Sequence, residues 1–543
     1  MIDQLSFAGI APLQQPHLLP DTAGQIAINC LFRDGAMTPA RMPQTVSGVT
    51  LSGSEKSIYR FGQDADSALP LYWFLFNADT SVVKSNAIGN SEERTYFASS
   101  GSPPRKTNFS TAVVGSPYPN VSYRLSVPDP QAPTLASKSA GTGTAEQRAY
   151  VYTVETDWYE RSRPSAAVLV DTQSDGIVVI NTPGLTSGEL TDRNFGAGAT
   201  KTLWRSVNGN YLKVATVPYA STQITDTASA TSLVTVLDSA DYDLPPDDMH
   251  SLIALPNSFY AAASGNDLCL SEVGIAHAWP IKYRKAADFK IVGLGAIGSN
   301  VVVMTKAFPY YAYGSAPKSM EMSKVDLNQS CLSRRSIAAG DAVVLYAGPD
   351  GLVGVSGPSA AVLTERFIGA SDWRKLNPAS MLGVWWNGAY YGFFDTGTAV
   401  GNPSWLPGQR GCFVYDPTDP WAPISFLDIH ATAAWVDPRD NTLYLASGVS
   451  LQTLSKTSGS NATMRWRSRR HLYLNPVNPK AAKIDADGAV TFRLYGDGVL
   501  RYTKTVTDSK WFKLPRGYKA ESIVYEVESS SIIRRVHVAT ILP

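Results

Sequence analysis

Apolar residues along this chain come in short runs and not in helical stripes. Most runs span four to seven residues, are rich in Val, Ile, Tyr, Phe and Thr, and end at Gly, Pro, Asn or Asp. β-branched and aromatic side chains suit a pleated sheet and the terminators suit turns, so the pattern predicts strands and hairpins. Two short helices are expected, near Thr22–Asn29 and Trp373–Leu376, with helix a minor part of the chain, under roughly a tenth.

One layout recurs: an apolar strand, a turn and a second strand. It appears in SFYAAASGNDLCLSE from Ser258, NVVVMTKAFPYYAYG from Asn300 and AVVLYAGPDGLVGVSG from Ala342. It appears again in AYYGFFDTG from Ala389, continuing in GCFVYDP, and in TLYLASGVSLQTL from Thr442. The starts lie roughly 42 to 53 residues apart, the period of one four-stranded β-propeller blade. The turns Ser264-Gly265-Asn266-Asp267 and Gly348-Pro349-Asp350-Gly351 fit exposed hairpin corners. A sixth copy, LYWFLFNADTSVVKS from Leu71, lies far upstream and precedes RTYFASSG from Arg94. If it joins the same propeller, the N-terminal region supplies a blade to the C-terminal half, which protects sheet edges, and the residues between are an inserted domain.

The chain therefore divides as follows: 1–126, N-terminal segment and first blade; 127–245, insert; 246–460, remaining blades; 461–543, C-terminal β-sandwich. The insert follows the Pro-rich stretch Val127 to Leu135 and resembles a fibronectin-III-like sandwich. Trp158, Trp204 and Tyr211 are its expected core or near-core aromatics, and Asn208-Gly209 is a strong hairpin signal. In the last part, VTFRLYGDGVLRYTKTV predicts a hairpin on Gly496-Asp497-Gly498. The fold class is mostly β: a propeller, an inserted sandwich and a terminal sandwich.

Composition narrows the functions. A chain of 543 residues exceeds one ordinary core and implies several domains. Charged residues make up 17%, below the usual quarter or so, which suits surfaces buried in an assembly. Lys plus Arg is 47 against 46 Asp plus Glu, so the basic excess of a dedicated duplex-DNA binder is missing. Cys30, Cys269, Cys331 and Cys412 are widely spaced and read as reduced, mostly buried thiols of a protein made in a cytoplasm. The opening residues lack a basic stretch before an apolar core, and no run approaches membrane-spanning length, so neither a signal peptide nor a membrane span is expected.

Chemical motifs are few. Gly293 to Gly298 matches G-x-G-x-x-G, but strand-like residues follow it, so it reads as a glycine-rich interstrand loop and not a dinucleotide site. His17, His250, His277, His430, His471 and His537 are far apart and read as surface or structural residues. Asp238, Asp241, Asp243, Asp247 and Asp248 beside Pro245 and Pro246 read as a solvated linker. Asp416 and Asp419 read as turn residues. The expectation is a non-enzyme with no catalytic, cofactor or metal residues. One candidate contact stands out. In a strand, Arg465, Arg467 and Arg469 share a face opposite Met464, Trp466 and Ser468. That basic face is either a phosphate or subunit contact or a solvated outer face.

The order of these pieces resembles the tail nozzle (tail tubular) proteins of short-tailed, podovirus-type bacteriophages. The residues that carry the resemblance are Phe7 to Pro39, SIYRFG from Ser57, the YWFLF hairpin, ERTYFASSG from Glu93, the insert, and FKLPRGYKAESIVYEVE from Phe512. The resemblance covers nearly the whole chain in layout more than in identity. It implies a virion protein, synthesised in the host cytoplasm, that forms a homohexameric ring below the portal and adaptor (head-to-tail connector) proteins. It also implies contacts to tail fibres or spikes and a channel through which genomic DNA passes without sequence-specific binding. Such subunits are expected to stay monomeric until an adaptor template is present. Two other readings stay open: another head-completion, neck or tail structural protein, and a carbohydrate-binding or -cleaving propeller of a receptor-binding tail protein. Against the last, the short repeats of trimeric β-helical tailspikes are missing.

Overall fold

Each of the five downstream repeat hairpins forms the second and third strands of a run of four antiparallel strands. The computed structural model describes residues 2–33, 35–62, 72–86, 92–397, 403–455 and 458–541. Strands take 47% of the described residues and helices 6%, so the protein is mostly β, built from many small sheets. Four sheets follow in order. They open with His250–Ala254, Ile291–Ile297, Ala338–Ala339 and Leu382–Trp386, and each continues through the next three strands of the chain. A fifth opens with Ala433–Val436 and takes its fourth strand from far upstream, Gln44–Thr50.

The upstream copy is wired differently from the expected hairpin. Leu71 itself lies outside the described residues. Tyr72–Phe76 pairs backward with Ser57–Phe61, while Thr80–Lys84 opens a separate four-stranded sheet with Thr95–Ser99, Arg105–Thr107 and Tyr123–Arg124. Residues 77–79 thus cross between sheets. Aromatic packing explains the choice: Trp73 lies edge-on to Trp435 and 4.8 Å from Tyr444 between ring centroids, which ties this pair of strands to the Ala433–Val436 sheet.

The opening strands of these seven sheets pack side by side in a closed circle. Its order is Ser57–Phe61, Thr80–Lys84, His250–Ala254, Ile291–Ile297, Ala338–Ala339, Leu382–Trp386, Ala433–Val436 and back to Ser57–Phe61. At the centre, side chains of the neighbouring sheet pack directly on glycine backbone. A Cβ on Gly293 would stand 2.4 Å from Ile337 Cδ1, and one on Gly295 would stand 2.6 Å from Val344. The glycine motif therefore sits mostly within a strand, and the expected loop is only the turn at Gly298 (φ 58°) and Ser299. Its glycines serve close approach of sheets.

Residues 461–543 do not form a sandwich by themselves. Gly24–Ile28 pairs antiparallel with Met464–Ser468 and bridges in parallel to Phe426. The Leu382–Leu427 sheet thereby continues into Met464–Ser468, Ala520–Ser529, Val490–Gly496 and Val499–Val506. A second sheet joins Ile2–Gln4, Cys30–Arg33 and Ala36–Pro39 to Ala481–Ala486, Phe512–Lys513 and Ile533–Ala539. The expected helix at Thr22–Asn29 is thus a strand. Ile26 and Ala27 are both buried, and Trp466 packs where a Cβ on Gly24 would stand, so tertiary packing overrides local propensity. The helix at Ala370–Lys375 forms as expected, with Trp373 buried beneath it.

The insert holds seven strands in two sheets, three and four strands wide. They share a core of Tyr150, Tyr152, Val154, Val178, Ile180 and Leu203. Trp204 is buried but is not part of that core. Its Nε1 donates to Thr153 Oγ1 and its ring lies under the Arg161 guanidinium. Trp158 and Tyr211 are half-buried. The Asn208-Gly209 turn has φ of 50° and 82°, and the Gly496-Asp497-Gly498 hairpin has 52° and 80° at its last two residues, the two positive values a type I′ corner needs.

Candidate functional site

The arginine row is present and largely neutralised from within. Met464, Trp466 and Ser468 are buried on one face of the strand, and Arg465 and Arg467 stand on the other. Both reach Glu526 on the neighbouring strand, at 3.1 and 2.7 Å, and Arg493 joins them at 3.0 Å while also holding Glu528. Burial pushes the Glu526 carboxyl up, but Arg465 and Arg467 outweigh it and hold it below its ordinary range. Arg469 lies just past the strand. It pairs with Asp21 and donates to the Leu19 carbonyl. Sequence alone shows three like charges; the register supplies the carboxylates that meet them.

The aspartates beside Pro245 and Pro246 are mostly solvent-exposed, as expected, but each also meets a partner. Asp238 pairs with Arg161, Asp241 with Lys282, Asp243 with Arg163 and Asp247 with Arg124, while Asp248 accepts from Ser264 Oγ. They strap the insert's return segment down at both ends. Beneath this strap lies a buried ion pair, Lys106 on the ring with Glu160 on the insert. Glu160 also accepts from Thr156 Oγ1, at 2.9 Å. Burial pushes the Glu160 carboxyl up, and the facing Lys106 ammonium more than offsets it. His277 closes the junction with a ring nitrogen 3.0 Å from the Arg161 carbonyl, and burial pushes its pKa down to about 4. No spacing rule finds this site, because Lys106, Glu160 and His277 come from three distant segments.

A cavity of about 260 Å³ marks the axis of the circle and is lined from six of the seven sheets, by Ser57, Ser81, Ser251, Leu294, Leu382 and Ala434 among others, and by Arg334, Arg335 and Ile337 just ahead of the remaining sheet. Arg334 reaches Asp79 across it at 2.7 Å, and Arg335 donates to the Thr432 carbonyl. These contacts staple opposite sides of the circle. Burial pushes His250, beside Ser251, down to about 4.

The remaining motifs have local roles. Asp416 and Asp419 accept from backbone N–H groups two and three residues on, as turn residues do. All four cysteines are buried and unbridged. Among the described residues no group of three or more His, Cys, Asp or Glu is placed to hold a metal ion, and no helix is long and apolar enough to cross a membrane.

No family model and no curated protein matches this chain. Among solved structures, it is similar to BBS1N from a complex with ARL6DN, at 10% identity and a TM-score of 0.28 over 70% of this chain and 93% of that one. BamB from Moraxella catarrhalis aligns at 10% identity and 0.26, over 61% and 99%. An exo-β-1,3-galactanase from Phanerochaete chrysosporium aligns at 10% and 0.19, over 53% and 95%. Likeness at this level assigns no function.

Proposed function

We propose that this chain is a non-enzymatic structural subunit of a bacteriophage tail, forming a ring around the genome-ejection channel below the portal and adaptor. In this reading the seven-sheet circle is a β-propeller, the insert is a fibronectin-III-like sandwich, and the interleaved chain ends form the terminal sandwich. One observation carries it: residues 2–39 are woven into the sheets of residues 464–539, and those sheets continue into the circle. A chain closed in this way has few free ends and few open edges. It resists force along the chain and can serve as a rigid part of a larger particle. The low charge fraction and the layout shared with tail nozzle proteins support the same reading.

The test is made on particles. Antibody against this chain should label the tail end of purified virions. A virion lacking the chain should package DNA in its head but fail to retain or deliver it. Labelling elsewhere on the particle, or normal infection without the chain, would remove the nozzle role.

A further inference from the structure

Charge is divided sharply between two parts of the molecule. Residues 127–245 carry 8 Lys and Arg against 13 Asp and Glu, a net of −5, whereas residues 461–543 carry 15 against 7, a net of +8. The near-neutral total hides a dipole between modules.

The circle sets these modules at opposite ends. The insert leaves after Tyr123–Arg124, at the end of the Thr80–Lys84 sheet, and returns into His250–Ala254, so it sits between two neighbouring sheets. The terminal module grows from the Leu382–Trp386 sheet, which lies three places from the insert in either direction around the seven. One molecule therefore carries an acidic end and a basic end across its diameter.

Each end has an open feature. At the basic end, Val499–Val506 is the last strand of its sheet and pairs only with Val490–Gly496 among the described residues. Val499 and Leu500 are half exposed. Arg501 lies over the Tyr518 ring and Lys504 over Phe512, so residues 512–519, which carry Lys513, Arg516 and Lys519, run alongside. These five cations are exposed, and none takes part in an ion pair found among the described residues. At the acidic end, Val168–Gln173 is likewise a last strand, with Leu169 exposed. It pairs with the end of Ala145–Glu155 remote from the ring junction, and Glu146, Asp171 and Asp175 gather there, all exposed. Lys138 already holds the Asp171 carbonyl, so charge, more than a continuous strand ladder, must carry a contact at this end.

We propose that the basic ridge around Val499–Val506 receives the acidic distal end of the insert of a second copy, linking copies head to tail. Such a contact is heterologous, so repeated copies close into a ring or extend as a filament. Opposite charge at the two ends also disfavours like-end pairing. The inference deepens the ring reading and rests on the charge division and the opposed placement; it departs from the expectation of monomers without an adaptor, because opposite charge at low salt brings copies together unaided.

The test is zero-length carbodiimide cross-linking of full-length chain, ¹⁵N-labelled and unlabelled copies mixed, with the linked peptides mapped by mass. At low salt, mixed-isotope links should join Lys504, Lys513 or Lys519 to Glu146, Asp171 or Asp175, and should fall at least about tenfold at 0.5 M salt, where exposed charges are screened. R501E/K504E should lose them, and so should E146K/D171K; mixing the two variants should restore contact between the ridge and the insert. All substituted positions are exposed, although Glu146 also pairs with the buried Arg148, so circular dichroism checks the fold and D171K alone repeats the test without touching that pair. Absence of mixed-isotope links between these regions overturns the proposal, as do links undiminished in both variants. If the ridge instead binds a short DNA duplex or heparin and no links between copies form, it is a polyanion surface and the proposal is wrong. Particle labelling reads the tail assignment separately, so either result can fail without the other.

Discussion

Two modules are attached to the same circle of sheets by opposite means. The terminal module continues the circle's own sheet through Gly24–Ile28, so backbone hydrogen bonds cross the boundary and no interface exists to open. The insert shares no sheet with the circle and is held mainly by side chains, the buried Lys106–Glu160 pair, the aspartate strap and His277, with isolated backbone bonds from Arg124 to Asp192 and from Trp279 to Asp243. Backbone continuity does not depend on pH or salt, whereas a junction of charges depends on both. The terminal module should therefore unfold only with the circle, and the insert should be separable from it.

The largest effect is expected at Trp466. Its side chain is fully buried, it meets Phe7 edge-on at 5.1 Å, and its Nε1 donates to the Ala8 carbonyl. Trp466→Ala should cost about 3–5 kcal/mol, the range for deleting a large core side chain. Because the sheet is continuous, denaturant should give one shifted transition for circle and terminal module together. A separate early transition of the terminal module would break the comparison.

At the insert, Glu160→Gln leaves the Lys106 ammonium buried without its partner, a change that costs roughly 3 kcal/mol. Here the loss should be local. Limited proteolysis should cut faster within residues 125–129 and 243–249, while the midpoint of the main transition barely moves. The double variant K106M/E160L removes both charges and should restore resistance to cleavage. If cleavage stays slow in Glu160→Gln, the strap alone holds the insert.

Acid should act on the same junction. His277 titrates near 4 when folded against an ordinary value of 6.5. The unfolded or detached state then binds the extra proton, so the stability this group contributes is complete above about pH 6.5 and is lost as pH falls toward 4. At pH 5 the loss is about 2 kcal/mol. Protease sensitivity of the insert should rise over that window, and His277→Gln should flatten the rise. An unchanged profile in His277→Gln would show that other groups open the junction.

How much of this was legible in the sequence follows from range. The five downstream hairpins were readable because turn residues and alternation act over a few positions, and Gly265, Asn208 and Asp497 sit at the corners expected of them. The mostly-β class followed from the same signals. The upstream copy was placed near the right neighbours but paired wrongly, because aromatic packing of Trp73 on Trp435 and Tyr444, not a local turn, decides its partner. Gly24–Ile28 read as helix for the same reason: the strand exists only because Trp466, more than four hundred residues away, packs over Gly24. The arginine row was visible, but Glu526 was not visible as its partner, since register across strands is long-range information. The aspartates were rightly read as mostly solvent-facing charge, but the partner each meets from another segment was not visible.

The smallest effect expected is at Arg469. Its partner Asp21 is 82% exposed, and pairs in that setting contribute roughly 0–1 kcal/mol. Arg469→Ser should therefore leave the unfolding midpoint within that margin. The same change at Arg465 should cost little more, because Arg467 and Arg493 still hold Glu526. That makes the row a clean probe of external contact. If Arg469→Ser keeps its stability and still enters particles, the row is an internally balanced outer face like the aspartate strap. If stability is kept and particle incorporation falls, the guanidinium meets a neighbour, and the two charged strips of the molecule differ in kind: one closes the subunit on itself and the other joins it to its surroundings.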